Sequence, residues 1–340
     1  MSEIIIFCSA PADIKFALTI RESYPQAYCR IFAIQVEDMA VFLRSLYLPA
    51  RTQVEFIPYP TKSIAVKRVW NNLTIRSYLD RIKQKHFSKT KNCHVYFFAP
   101  YMDWVLFSFL QFLQPENRLT FVSYLPPVEH RFASLSHKNR LMRFWTKWVT
   151  RTDIAYAQYC STPVLVWEKM HEIETMEAPD YCSTLIKHAW NPTLTPASGT
   201  SLLLFPGCEA LSNNIKQVTL DAIQRLEAKG FSIFLKPHPR LDCPVWLLDL
   251  GLKLIPRHVP AEFVDLHSFS GVIGYESSAL ALAAKHSNIP CISLIHLLNY
   301  HQASSTIFYK EYLLQYSGGK IFFADTLEQV EPFLLKGKIK

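Results

Sequence analysis

The sequence predicts an α/β protein built from two successive halves, each around a parallel sheet. Three observations carry that expectation. Short apolar runs alternate with stretches of helical period from residue 3 onward, the order a parallel sheet requires because each parallel partner must be reached by a crossover. The alternation breaks at Asn191-Pro192-Thr193-Leu194-Thr195-Pro196-Ala197-Ser198-Gly199-Thr200, a stretch dominated by proline, threonine and serine, and then restarts. With 340 residues and 49% hydrophobic content the chain is long enough for two cores. The expected division is 1–190 and 201–340, with 191–200 as the linker.

In the first half, residues 3–9 read as a strand that breaks at Pro11, followed by a helix over 13–23 with Asp13 near its amino end. A strand over 30–36, a helix over 38–47 and a strand over 53–58 continue the alternation. A long helix is expected over 63–84, carrying Ile64, Val69, Leu73, Ile75, Leu79 and Ile82. His94-Val95-Tyr96-Phe97-Phe98 is a continuous apolar run suited to the middle of a sheet buried on both faces. It stops at Pro100, and Asp103 stands at the start of an apolar helix over 104–113. Residues 119–123 form the next strand, and Tyr124-Leu125-Pro126-Pro127-Val128-Glu129-His130 reads as a stiff loop. Residues 153–166 supply the last strands of this half.

Between them, residues 138–151 interleave cations with Phe144, Trp145 and Trp148 at helical spacing. Such a helix can lie on an anionic membrane surface. The plainer alternative is a core helix whose lysines and arginines snorkel to solvent. Nucleic acid is not expected, because no recognised binding module surrounds the stretch.

The second half opens with a strand over 201–205, a Pro206-Gly207 turn and a helix over 214–229 closed by Gly230. The strand over 231–235 then delivers Lys236-Pro237-His238-Pro239-Arg240. A proline on each side of His238 fixes φ and excludes helix, so the imidazole is carried on a rigid basic turn at the carboxyl end of a strand, where open α/β sheets bind ligands. A short strand over 252–255 and the stretch Val259-Pro260-Ala261-Glu262-Phe263-Val264 follow. Gly271-Val272-Ile273-Gly274-Tyr275-Glu276-Ser277-Ser278 is then a strand running into a helix start. Free amides at a helix start bind phosphate, and two hydroxyls there add donors, although serines in these positions also serve as ordinary caps. His238 and the Ser277-Ser278 pair, each after a strand of one α/β domain, are what holding a nucleotide phosphate requires.

The net charge of +8 favours an anionic partner. Aromatic content of 14% and only 9 glycines exclude a disordered chain. The scattered cysteines form no CxxC pair and no cysteine–histidine cluster, which fits a reduced chain in the cytoplasm. Ile4-Ile5-Ile6-Phe7-Cys8 is too short for a signal peptide, and no run reaches membrane-spanning length. Work at a membrane would be done from the surface, on the inner face of the cytoplasmic membrane.

The order strand-Lys-Pro-His-Pro-Arg, Pro-Ala-Glu-Phe, strand-Glu-Ser-Ser-Ala resembles the carboxyl-terminal domain of bacterial sialyltransferases that build lipooligosaccharide and polysialic acid capsule, with Kdo transferases as relatives. The resemblance covers residues 200–300. It implies a GT-B-like fold, two Rossmann-like domains facing across a cleft, and an inverting, metal-independent transfer of sialic acid from a CMP donor to a glycan or glycolipid hydroxyl. No cofactor is implied beyond the CMP-activated sugar as co-substrate. Carried onto this chain, His238 binds or protonates the departing phosphate, and Ser277 with Ser278 holds it. Glu262 faces the ribose or cytosine side, and Gly207 lies near the nucleotide. Lys236 and Arg240, beside Pro237 and Pro239, add positive potential on electrostatic grounds alone.

Those sialyltransferases carry an acidic Asp/Glu-Asp/Glu-Gly motif for the acceptor base, and this chain has none. Glu129 or His130 substitutes for it, with Glu129 the first choice, or Asp103 at the preceding strand-to-helix junction does, or the base has been lost. Rival readings are a GT-B transferase using Kdo or a UDP-, GDP- or ADP-activated sugar, a non-catalytic binder of nucleotide or glycan, and a membrane- or nucleic-acid-binding protein acting through 138–151.

Overall fold

The computed structural model describes residues 3–58, 68–99, 103–124, 129–132, 137–160, 162–179, 200–204, 212, 214–238, 243–300 and 303–336. The chain divides into two compact units, Met1–Leu185 and Ile186–Lys340.

Unit 1 runs β1 (Glu3–Cys8), α1 (Asp13–Ser23), β2 (Tyr28–Ile34), α2 (Glu37–Ser45), β3 (Thr52–Ile57), α3 (Arg68–Phe87), β4 (His94–Phe97), α4 (Trp104–Leu113), β5 (Arg118–Ser123), β6 (Glu129–Phe132), α5 (His137–Thr150), β7 (Ile154–Tyr159), β8 (Thr162–Trp167) and β9 (Glu174–Glu177). Its main sheet has the order β3-β2-β1-β4-β5-β9, parallel throughout. The chain winds outward from β1 to β3 and then returns to pair β4 with the other side of β1. That reversal leaves a crevice beyond the carboxyl ends of β1 and β4, because the loops there leave in opposite directions. Ile5, Phe7, Val95 and Phe97 are fully buried, as their unbroken apolar runs require of strands covered on both faces. Phe7 anchors the core, its ring 5.4 Å from Phe32, 5.7 Å from Phe87 and 6.2 Å from Phe109.

Two expectations need correction here. The proline-containing stretch is not loop to its end, since Glu129 and His130 open β6. The strands expected over 153–166 are β7 and β8, an antiparallel hairpin that joins β6 in a separate three-stranded sheet, but they are not the last of this unit. The last main-sheet strand is β9, whose Glu-Thr-Met-Glu sequence is mostly exposed. Charge on an edge strand guards against edge-to-edge pairing and also hides the strand from a pattern search. The helix expected over 63–84 is α3, which ends later, at Phe87; residues 59–67 lie outside the described set.

Unit 2 runs β10 (Thr200–Leu204), α6 (Ile215–Ala228), β11 (Ser232–Lys236), α7 (Val245–Leu248), β12 (Lys253–Leu254), β13 (Gly271–Gly274), α8 (Ser278–His286), β14 (Cys291–Ser293), α9 (Ala303–Ser317), β15 (Phe322–Phe323) and α10 (Val330–Lys336). Its order, β12-β11-β10-β13-β14-β15, repeats the permutation of unit 1. Of the expected linker only Thr200, the first residue of β10, is described. Gly230 closes α6 at φ +82°, and the amide of Phe231 bonds back to Leu226 O at 2.9 Å, the wrapped ending that glycine permits.

Gly271 starts β13 where there is no room for a side chain. A Cβ there would lie 2.4 Å from Leu334 Cδ2 and 2.9 Å from the Pro290 carbonyl oxygen. Gly271→Ala is therefore expected to lower stability by about 1–3 kcal/mol, the usual cost of overpacking, with the denaturant midpoint as the readout. An unchanged midpoint would show that α10 yields freely.

Among the described cysteines, Cys8, Cys29, Cys93 and Cys291 are free and buried. Burial pushes the Cys29 thiol up to about 12, which keeps it protonated and unreactive. No described helix is long and apolar enough to cross a membrane.

Candidate functional site

In unit 2 the site is built by β11 and β13, the two neighbours of β10. Leu204 of β10 is level with Lys236, and Leu203 is level with both Leu235 and Ile273. Gly274 therefore ends β13 at the height where Lys236 ends β11. The segments that follow, Pro237-His238 and Glu276-Ser277, emerge at the same edge about 10 Å apart, two strand spacings. β10 and β13 flank the point where the winding reverses, so the sheet itself delivers these residues to the edge at which open α/β sheets bind ligands.

Each side of this edge is held by specific contacts. Lys236 is buried, and its Nζ donates to the carbonyls of Pro237 at 2.8 Å and Arg257 at 3.1 Å. The lysine thus braces the turn from beneath while His238, just beyond it, is partly exposed. Pro239, Arg240 and Gly207 lie outside the described residues. On the other side, Tyr275 is fully buried and shares a 2.6 Å hydrogen bond with Thr219 Oγ1, while its carbonyl accepts from Ser293 Oγ at 2.9 Å. The backbone entering α8 is fixed by these two contacts. Ser277 is the N-cap of α8, its Oγ accepting from the Ala279 amide at 3.2 Å, and Ser278 is the first helical residue. The capping role and a ligand role are compatible, since a capping hydroxyl still has its proton to donate. Gly274 keeps strand and helix close: a Cβ there would come within 3.3 Å of Leu204 Cβ and 3.4 Å of Leu280 Cδ2. The turn Ala261–Phe263, which carries Glu262, packs against α8 as well.

Glu276 is the residue here that sequence reasoning passed over. Burial raises its carboxyl above the usual carboxylate range, and Tyr300 donates to its Oε2 at 3.3 Å. Burial and the adjacent Glu276 push the Tyr300 hydroxyl up in turn, so it stays protonated. A carboxyl biased toward its neutral form does not oppose an anion at the α8 start. The only sequence signal was an acidic residue directly before the two serines.

Unit 1 carries a polar cluster at the equivalent crevice. Asp103, the N-cap of α4, accepts from the Leu106 amide at 3.0 Å through Oδ1 and from Ser9 Oγ at 2.6 Å through Oδ2. This bond joins the loop after β1 to the loop after β4. Asp13, the first residue of α1, is buried and accepts at Oδ2 from the amides of Ser9 at 2.7 Å and Ala10 at 2.8 Å, and at Oδ1 from the Tyr124 hydroxyl. Three donors hold Asp13 in place and so shape the loop, whereas Asp103 is the more exposed of the two side chains. Asp103 was legible as a helix start. Its pairing with Ser9 was not, because the partners are far apart in sequence. Glu129 and His130 open β6, on the separate antiparallel sheet.

No family profile and no curated protein sequence matches the chain. Among solved structures, a UDP-glucose:anthocyanidin 3-O-glucosyltransferase in complex with UDP aligns over 100% of this chain and 90% of its own, with 9% identity and a TM-score of 0.52. The Escherichia coli heptosyltransferase WaaC with ADP-2-deoxy-2-fluoro heptose aligns over 99% of each chain at 11% identity and a TM-score of 0.44. A UDP-N-acetylglucosamine 2-epimerase from Rickettsia bellii aligns over 99% of this chain and 96% of its own, at 12% identity and 0.48. The chain has the two-domain, parallel-sheet α/β architecture of the GT-B fold.

Proposed function

We propose that the protein is a glycosyltransferase that moves a sugar from a nucleotide donor to a hydroxyl of a bacterial surface glycan, with inversion and without a metal. The observation that carries this is the level placement of the His238 turn and the Ser277-Ser278 helix start on either side of β10, at the switch point of unit 2. The acceptor hydroxyl gives its proton to Asp103. Its oxygen attacks the anomeric carbon from the face opposite the nucleotide, and the bond from that carbon to the phosphate oxygen breaks with its electron pair going to the phosphate. Imidazolium at His238 donates a charge-assisted hydrogen bond to the departing phosphate, and the hydroxyls of Ser277 and Ser278 with the helix amides share the remaining charge. Lys236 adds positive potential from beneath the turn, and Arg240 adds more from beyond it. Glu262 and Gly207 contact the nucleoside.

The motif order supports a CMP-linked acidic sugar, sialic acid first and Kdo second. The same fold holding UDP in the anthocyanidin glucosyltransferase makes a UDP-sugar the donor to test against it. A screen of CMP-N-acetylneuraminic acid, CMP-Kdo, UDP-glucose and an ADP-heptose, scored for nucleotide release, is expected to show CMP release. A preference for UDP would replace the donor and keep the site. Release from none of them, with CMP still bound, would make the chain a binding protein that transfers nothing.

The raised Glu276 carboxyl gives a pH test. Because its folded-state value lies above the unfolded one, the stability it contributes is fully present below the ordinary carboxylate value and is lost as pH rises through the raised value. The same ionisation puts a negative charge beside the donor phosphate. Donor affinity is expected to fall over that pH range in the native protein and to stay flat in Glu276→Gln. Titrations of both proteins across pH decide it, and an equal fall in both would remove Glu276 from the site.

A further inference from the structure

The outer face of α5 combines two properties that unit 1 alone does not explain. Leu141 is 72% exposed, Phe144 73% and Trp148 48%, and their i, i+3, i+7 spacing aligns them in one stripe along the helix. Arg140 and Lys147 are also exposed and follow the same side, at i and i+7, and Arg151, also exposed, lies just past the end of the helix at φ +53°. The opposite face is packed: Thr146 and Val149 are buried, and the Trp145 ring meets that of Trp104 at 6.5 Å, edge to face. Arg143 is committed to Glu168 at 2.5 Å and to the Ile154 carbonyl at 2.8 Å. Lys147 pairs with Asp153 at 2.7 Å, with both side chains largely open to solvent. The helix itself contains no acidic residue.

Three kinds of partner can cover such a face, and charge separates them. A second copy of this chain, packed symmetrically, would set Arg140 against its own kind, since α5 holds no carboxylate and Asp153 and Glu168 beside it are already paired with Lys147 and Arg143. A nucleic acid would take the cations but leave Leu141 and Phe144 against a polar backbone. An anionic bilayer accepts both: aromatic rings settle at the headgroup level, leucine reaches the acyl boundary, and guanidinium groups meet lipid phosphates.

We propose that α5 is a membrane-docking helix that seats the protein on an anionic lipid surface through Leu141, Phe144 and Trp148, flanked by Arg140, Lys147 and Arg151. Its packed face touches the beginning of α4 through Trp145 and Trp104, next to Asp103. On the transferase reading, docking of the unit that carries Asp103 makes the acceptor a lipid-carried glycan. The docking itself stands apart from that reading.

Co-sedimentation of the full chain with phosphatidylcholine vesicles, with and without phosphatidylglycerol, tests it. Binding is expected only to the anionic vesicles and is expected to weaken as salt is raised. Phe144→Ser with Trp148→Ser should reduce the partition coefficient at least about tenfold, and Arg140→Glu about fivefold or more. All three positions are exposed, so circular dichroism should be unchanged, and nucleotide release from a water-soluble donor should persist in the variants. Absence of binding to anionic vesicles would overturn the proposal, as would equal binding by the variants. A dimer abolished by Phe144→Ser, or RNA binding that vesicles do not displace, would assign the face to another partner. If vesicles bind but no donor is turned over, the docking stands and the transferase reading fails.

Discussion

His238→Ala is expected to lower kcat/KM for nucleotide release by about a hundredfold or more, the scale on which a charge-stabilising donor contributes, equal to about 2.7 kcal/mol of transition-state stabilisation. The loss should not come from misfolding. Pro237 and the two bonds from Lys236 Nζ hold the turn by its backbone, and removal of the imidazole touches neither. Far-ultraviolet circular dichroism and the denaturant midpoint should match those of the native protein. Added imidazole should restore part of the rate if the ring acts by donating a proton or hydrogen bond. Unchanged nucleotide release would remove His238 from the reaction.

Asp103→Asn is the complementary experiment. Turnover should fall by about a hundredfold, because an amide cannot accept the acceptor proton, while the dissociation constant for the donor nucleotide stays where it was. Asparagine caps helices as well as aspartate does, so α4 should keep its start and the midpoint should barely move. Asp103→Ala should lose the same turnover and in addition about 1 kcal/mol of stability with the cap. The split matters because a purely structural Asp103 would show the reverse pattern, with alanine damaging and asparagine silent. Glu129→Gln is the control for the other proposed base: full activity in Asp103→Asn and loss in Glu129→Gln would move the base to β6.

Much of this organisation is legible in the residues, and the reasons are physical. The burial of strands on both faces forces runs such as Ile4-Ile5-Ile6-Phe7, and helix starts declare themselves through Asp13, Asp103 and Ser277. The basic proline turn is visible because proline leaves few conformations. What stayed hidden depends on strand order. Nothing local reveals that β13 pairs with β10 on the side away from β11, and it is that pairing which brings Ser277 to the edge His238 occupies. The Ser9–Asp103 bond is concealed in the same way. β9 was missed because a charged edge strand carries no apolar signature, and α9 because its apolar residues follow no helical period. The aromatic residues of α5 were seen in sequence as either core or surface. The exposure of Phe144 and Trp148 keeps these two out of the core of unit 1, whereas Trp145 packs against Trp104.

On the proposed reading, one topology serves two tasks. Both sheets reverse their winding beside the first strand, and both place polar groups at that reversal. Unit 2 offers an imidazole, two hydroxyls and a carboxyl biased toward neutrality, a set suited to an anion. Unit 1 offers carboxylates joined to Ser9 and Tyr124, a set suited to holding and accepting protons.

Calorimetric titration of CMP into the native protein, His238→Ala and the Ser277→Ala/Ser278→Ala pair tests the assignment of the unit 2 edge most directly. The expected result is saturable binding of CMP to the native protein, weakened about tenfold or more in each variant, as loss of a charge-assisted contact to a phosphate predicts. Binding of CMP with equal affinity to all three proteins, or no binding of CMP, UDP or ADP to any of them, would contradict it.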